Sequence, residues 1–209
     1  MTGPDIAIDY LANCPELVDE LARLSWEEWK DVYQQRKQTL EDTVKNSRDR
    51  MNTDRLPFTL VASQASEPVG MVSLKFHDMD TRPDLDPWLG GLLALSEWRN
   101  RGVGTMLMHR ATEEARRLNV PQLYLWTHTA EGLYHKLAWQ VVERTNYFGK
   151  EAVVMQIDLR AQWRNVQDAQ RCQSFSCAVR SPPDADVASV VVDLNFSNYR
   201  PRACRRFSD

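Results

Sequence analysis

Chemistry in this chain is concentrated in the run Glu97-Trp98-Arg99-Asn100-Arg101-Gly102-Val103-Gly104-Thr105. Ahead of it, Trp88 to Leu95 reads as a buried apolar strand; behind it, Val103, Met106, Leu107, Ala111, Ala115 and Leu118 fall on one helical face. A two-glycine turn that opens a helix is a phosphate cradle. The first-turn N–H groups have no partner inside the helix and carry partial positive charge, so a pyrophosphate can be held largely by backbone donors. Gly102 and Gly104 place no Cβ between those donors and the phosphates. Spacing excludes two other cradles: no G-x-x-x-x-G-K-S/T string occurs, and Gly102-x-Gly104 lacks the last glycine of G-x-G-x-x-G.

The elements around this turn follow from periodicity and turn residues. The pattern predicts a helical pair, Pro15 to Trp29 and Arg36 to Met51, then a strand Phe58 to Ser63, a turn at Glu67-Pro68 and a strand Val69 to His77. After the phosphate-loop helix it predicts a strand Leu123 to Thr127, a short helix Ala130 to Leu137, and strands near Trp139 to Tyr147 and Glu151 to Leu159.

The string Arg99-x-x-Gly102-x-Gly104 resembles the Gln/Arg-x-x-Gly-x-Gly/Ala pyrophosphate loop of the GNAT superfamily of acetyl-CoA-dependent N-acetyltransferases. Leu133-Tyr134-His135-Lys136-Leu137-Ala138-Trp139 resembles that family's L-Y-x-K/R-x-G-F/W signature, with Ala138 where glycine is usual. Alanine lacks glycine's access to positive φ, so strain is expected in the turn leaving this helix. His77 to Trp88 is similar to a stretch found in small bacterial members, and Leu123 to Thr129 resembles, more distantly, the enzyme that acetylates processed actin N-termini. The resemblance spans about residues 5 to 159.

It implies an α/β GNAT fold, a mixed and splayed central β-sheet flanked by helices, in a domain of residues 1–160 followed by an extension, 161–209. It implies acetyl-CoA as co-substrate, with Arg99, Asn100, Arg101, Gly102, Val103, Gly104 and Thr105 at the pyrophosphate, a backbone N–H near Leu92 at the thioester oxygen, and Ala94 pairing with the pantetheine amides. Tyr134 matches the acid that protonates the departing thiolate, whereas a plain reading of the same residue is packing on an amphipathic helix. His135, one position round the helix, should point elsewhere.

The attacking amine must lose a proton. Where some members carry a glutamate before the loop this chain has Trp88, so Asp80, Asp86, His77 and His128 are the remaining base candidates. Asp78, Asp80, Asp84 and Asp86 crowd the loop expected at the acceptor mouth, and Trp26, Trp29 and Trp88 offer aromatic faces. Asp80, Asp86, Trp88 and His128 are therefore the expected substrate contacts, for a small cationic amine such as an aminoglycoside or polyamine, or for a peptide N-terminus. The alternative is an acyl-CoA-binding sensor or partner module without turnover.

Composition bounds the rest. The chain has 209 residues and a formal charge of −3, which weighs against nucleic acid as a partner. No 18-residue apolar run or signal-peptide pattern is present, so a cytoplasmic protein without a membrane partner is expected. Cys14, Cys172, Cys177 and Cys204 form no C-x-x-C pair, and no cluster has metal-ligand spacing, so reduced thiols and no metal are expected. Residues 161–209 hold seven arginines and five aspartates with no lysine, glutamate or glycine. They read as a poorly ordered extension or a basic arm. A valine-rich strand near Val187 to Phe196 could pair with a sheet edge, including that of a second copy in a homodimer.

Overall fold

The computed structural model describes residues 6–160. The expected strand near Val187 to Phe196 lies outside the described residues. The strands are β1 (Ala7–Tyr10), β2 (Phe58–Gln64), β3 (Glu67–Lys75), β4 (Trp88–Ala94), β5 (Gln122–Thr127), β6 (Gln140–Tyr147) and β7 (Lys150–Asp158). The helices are α1 (Val18–Glu28), α2 (Lys30–Gln35), α3 (Leu40–Asp49), α4 (Val103–Arg117) and α5 (Glu131–Lys136).

One seven-stranded sheet runs in the order β1-β2-β3-β4-β5-β7-β6. All neighbours are antiparallel except β4 and β5, which are parallel. The mixed sheet with flanking helices is the expected GNAT architecture.

β2 is buried on both faces, which explains its nearly continuous apolar run. Its Phe58, Leu60 and Ala62 share a core cluster with Leu107, Met108, Ala111 and Ala115 of α4, while Val61 faces the other way, towards Val18 and Leu21 of α1. The sheet is thus sandwiched between α4 with α5 on one side and α1 on the other. A third cluster, Met79, Leu85, Trp88, Tyr147, Ala152 and Val154, seats the loop between β3 and β4.

One expectation needs correction. The helical pair is three helices: the backbone leaves helical geometry at Trp29, Lys37 takes φ +55, and a new start is set at Thr39. There the Thr39 hydroxyl accepts from the Asp42 N–H while the Asp42 carboxylate accepts from the Thr39 N–H, a reciprocal cap that fixes where α3 begins. β1 is an addition to the expected strands, since its four residues are too few for periodicity to announce. Ala138 takes φ +65, so the turn out of α5 does hold an alanine in the left-handed region.

Candidate active site

β4 and β5 share a single Cα pairing, Trp88 with Tyr124, and separate beyond it. Between them opens a cleft of about 1100 Å³. The ladder from β3 to β4 shifts register between Met71 and Ser73, a bulge that re-aims the strand where Leu92 and Ala94 line the cleft.

The N-terminus of α4 forms one wall. No side chain caps this helix, so its first N–H groups have no partner supplied by an N-cap side chain. Gly102, at the N-cap, has φ +85, a conformation that costs little without a Cβ. A Cβ there would meet nothing within 4 Å, and one on Gly104 would reach only Leu92 Cδ2 at 4.0 Å. Open space in front of uncapped donors suits an anion such as a pyrophosphate.

Tyr134 enters the cleft from α5. The Thr127 hydroxyl, at the end of β5, accepts from the Thr129 and Ala130 N–H groups and so starts α5 at a fixed place. Trp139 packs edge-on against the Tyr134 ring, with centroids 6.2 Å apart. The ring is buried, with 8% of the residue exposed, and burial pushes the phenol up to about 12. His135 points away and faces Glu131 at 3.1 Å.

Of the expected residues, Leu92, Ala94, Arg99, Asn100, Gly102, Val103, Gly104, Thr105, His128 and Tyr134 all border this one cleft. Four do not. Trp88 is fully buried and its indole N–H donates to the Leu85 carbonyl, so its ring is a core member and offers no face to a substrate. Asp86 accepts from the His77 N–H at 2.8 Å and faces His77 Nδ1 at 3.0 Å, which closes the loop on itself. Asp80 is exposed on that loop, its N–H directed at the Tyr147 hydroxyl. Arg101 lies over the Trp98 ring, 5.4 Å from its centroid. Arg99, though on the cleft border, directs its guanidinium to the Glu28 carboxylate at 2.8 and 2.9 Å and its Nε to the Ala94 carbonyl. It ties the loop to α1 and β4.

His128 is held by its Nδ1, 2.8 Å from the Glu151 carbonyl oxygen. A carbonyl can only accept, so Nδ1 carries the proton and Nε2 of the neutral ring is left as the acceptor.

Sequence reasoning missed a charged cluster on the same cleft. Asp78 is buried, with Lys75 Nζ at 2.6 Å and Arg36 Nη1 at 3.6 Å from its Oδ1. Burial works against the Asp78 carboxylate, yet Lys75, Arg36 and Arg50 hold its pKa below the usual range. A Cβ on Gly90 would lie 2.7 Å from Asp78 Oδ2 and 2.8 Å from Lys75 Cε, so glycine lets the pair sit against β4. The i, i+3 spacing of Lys75 and Asp78 was the one available signal. Among the described residues no group of His, Cys, Asp or Glu could hold a metal ion, and no helix is long and apolar enough to cross a membrane.

A family model for the acetyltransferase (GNAT) family matches residues 18–139. Among solved structures, an aminoglycoside 6'-N-acetyltransferase complexed with coenzyme A is similar at 18% identity, covering 73% of this chain and 96% of its own, with a TM-score of 0.56. The structure of yncA from Salmonella typhimurium with its cofactor acetyl-CoA is 17% identical over 74% of this chain and 94% of its own, with a TM-score of 0.56. Ard1 from Thermoplasma volcanium is 16% identical over 73% and 97%, with a TM-score of 0.57. No curated protein matches the chain.

Proposed function

The chain belongs to the acetyltransferase (GNAT) family, and we propose that it moves an acetyl group from acetyl-CoA directly to a primary amine held in the cleft between β4 and β5. One observation carries the reading. The uncapped start of α4 at Gly102 and the Tyr134 phenol border the same cleft, so an anion cradle and a proton donor serve one ligand.

Acetyl-CoA supplies an activated acyl group and a thiolate leaving group. Gly102 to Thr105 would hold its pyrophosphate through backbone donors, with Ala94 beside the pantetheine. The N–H near Leu92 would face the thioester oxygen, where negative charge grows as the amine attacks. Tyr134, its phenol kept protonated by burial, would donate to the departing sulfur. His128 Nε2 would take the proton that the amine must shed, directly or through a water.

The acceptor is less constrained. Aminoglycosides, polyamines and peptide N-termini are the candidates that sequence offered, and structural neighbours include an aminoglycoside acetyltransferase. At 18% identity that likeness speaks to the fold alone. Two measurements test the function. Excess acetyl-CoA should raise the melting temperature, since binding to the native state stabilises it. Thiol release from acetyl-CoA should then appear with at least one amine in a broad panel. Binding without release would favour the sensor reading, and no binding would remove both.

A further inference from the structure

The cleft is lined by Arg36, Arg50, Lys75, Arg99 and Lys150 against only two carboxylates, Glu28 and Asp78. Glu28 is taken by Arg99, and Asp78 is taken by Lys75 and Arg36. Arg50, partly buried at the C-cap of α3, has no hydrogen bond or ion pair from its guanidinium among the described residues. Arg36 gives Nη2 to the Asp78 carbonyl and to the Tyr147 hydroxyl, but its buried Nε has no partner. Donors and positive charge are thus in surplus around a single buried carboxylate.

Removing a cation from water without a counter-charge is costly, and a buried donor without an acceptor adds to that cost. Burial accordingly pulls the Arg50 guanidinium below the ordinary arginine value and does the same to the Lys75 ammonium, against the pull of Asp78. Such an arrangement suits an anion brought by a ligand. It lies close to the chemistry: Gly90, against which Lys75 and Asp78 pack, is two residues from Leu92, at most about 7 Å along an extended strand.

We propose that Arg50, with Arg36 and Lys75, seats a carboxylate or phosphate carried by the acceptor, so that the amine acetylated bears an anionic group within a few ångströms of its nitrogen. The inference rests on the acetyl-transfer reading for the word acceptor, and it reverses the polycation expected from the aspartate-rich loop. Asp84 is paired with Arg82 and Asp86 with His77, and neither borders the cleft. A field of like sign would oppose a polyamine in this pocket.

The test uses the full chain and matched amines: phosphoethanolamine and 4-aminobutyrate as the two anionic arms, ethanolamine and butylamine as their neutral counterparts, and putrescine as a dication. Binding is measured by calorimetry with and without coenzyme A, and turnover by thiol release from acetyl-CoA. At least one anionic amine should bind and react at least ten-fold better than its neutral counterpart, and the arm that wins separates phosphate from carboxylate. Arg50→Ala should erase most of that preference and raise KM more than it lowers kcat, while Arg50→Lys restores part of it. A neutral amine or putrescine preferred over both anionic arms would overturn the proposal, as would a preference untouched in Arg50→Ala. A purely structural Arg50 predicts that Arg50→Met lowers the melting temperature of the free protein; an anion seat predicts no change or a rise. If anionic amines bind through Arg50 and no amine releases thiol, the seat stands and the acetyl-transfer reading falls.

Discussion

Tyr134 sits in an apolar wall formed with Trp139, and that burial decides what its hydroxyl can do. A phenol pushed up to about 12 stays neutral across the working range, always able to donate and never charged in the ground state. Tyr134→Phe should therefore cut kcat by roughly a hundred- to ten-thousand-fold with acetyl-CoA affinity nearly intact, the range expected for a lost general acid. In the unmodified protein, kcat followed from pH 7 to 10 should show no fall from phenol ionisation. A fall near pH 9 that vanishes in Tyr134→Phe would mean the ring is less shielded than its packing indicates. At this scale the sequence was legible where the signal is local. Arg99 to Thr105 and Leu133 to Trp139 declare themselves by spacing. The Arg36, Arg50, Lys75 and Asp78 cluster is assembled from three separate stretches of chain, with Asp78 42 positions after Arg36. No window of sequence contains it. Trp88 misled for a related reason: it follows an aspartate-rich loop at the head of its strand, while its ring shares a cluster with Tyr147, Ala152 and Val154 of β6 and β7, distant in sequence.

Among elements, α4 couples fold and chemistry most directly. Its buried Val103, Leu107, Met108, Ala111 and Ala115 pin it to the sheet, and that packing aims its uncapped end into the cleft. Gly104→Asp should abolish the acetyl-CoA-induced rise in melting temperature, because a carboxylate would occupy the space in front of the helix donors and repel the phosphates. The variant itself should still fold, since a negative charge in the first turn of a helix is favourable and only Leu92 lies within 4.0 Å. A variant that keeps the full shift would place the pyrophosphate elsewhere. Strand positions were largely readable because β2, β3 and β4 are apolar runs bounded by turn residues. The break between α2 and α3 was not, because it depends on Lys37 in the left-handed region and on the Thr39 cap, neither of which alters the apolar period.

At the scale of the whole molecule, the described residues 6–160 hold a seven-stranded sheet and three apolar clusters. A chain ending at Arg160 should stay soluble and keep its acetyl-CoA-induced thermal shift. An insoluble product would mean that the β6 edge, with Val141 and Val142 exposed, needs cover from residues 161–209. The parting of β4 from β5 has a further consequence. With one pairing between them, the sheet is two half-sheets joined by the contact of Trp88 with Tyr124 and by the apolar cluster in which α4 sits with Phe58 and Leu60 of one half and Leu123 and Leu125 of the other. Such a bridge is weaker against local opening than a continuous ladder, and the two halves should behave as separate cooperative units in native-state hydrogen exchange. Amide protons of Leu92 to Ala94 should exchange faster than those of β2 in the free protein and slow when acetyl-CoA binds, because the ligand would add rungs that the fold leaves out. Substrate would then serve as the last strand of the sheet, and the empty enzyme would be the softer of its two forms.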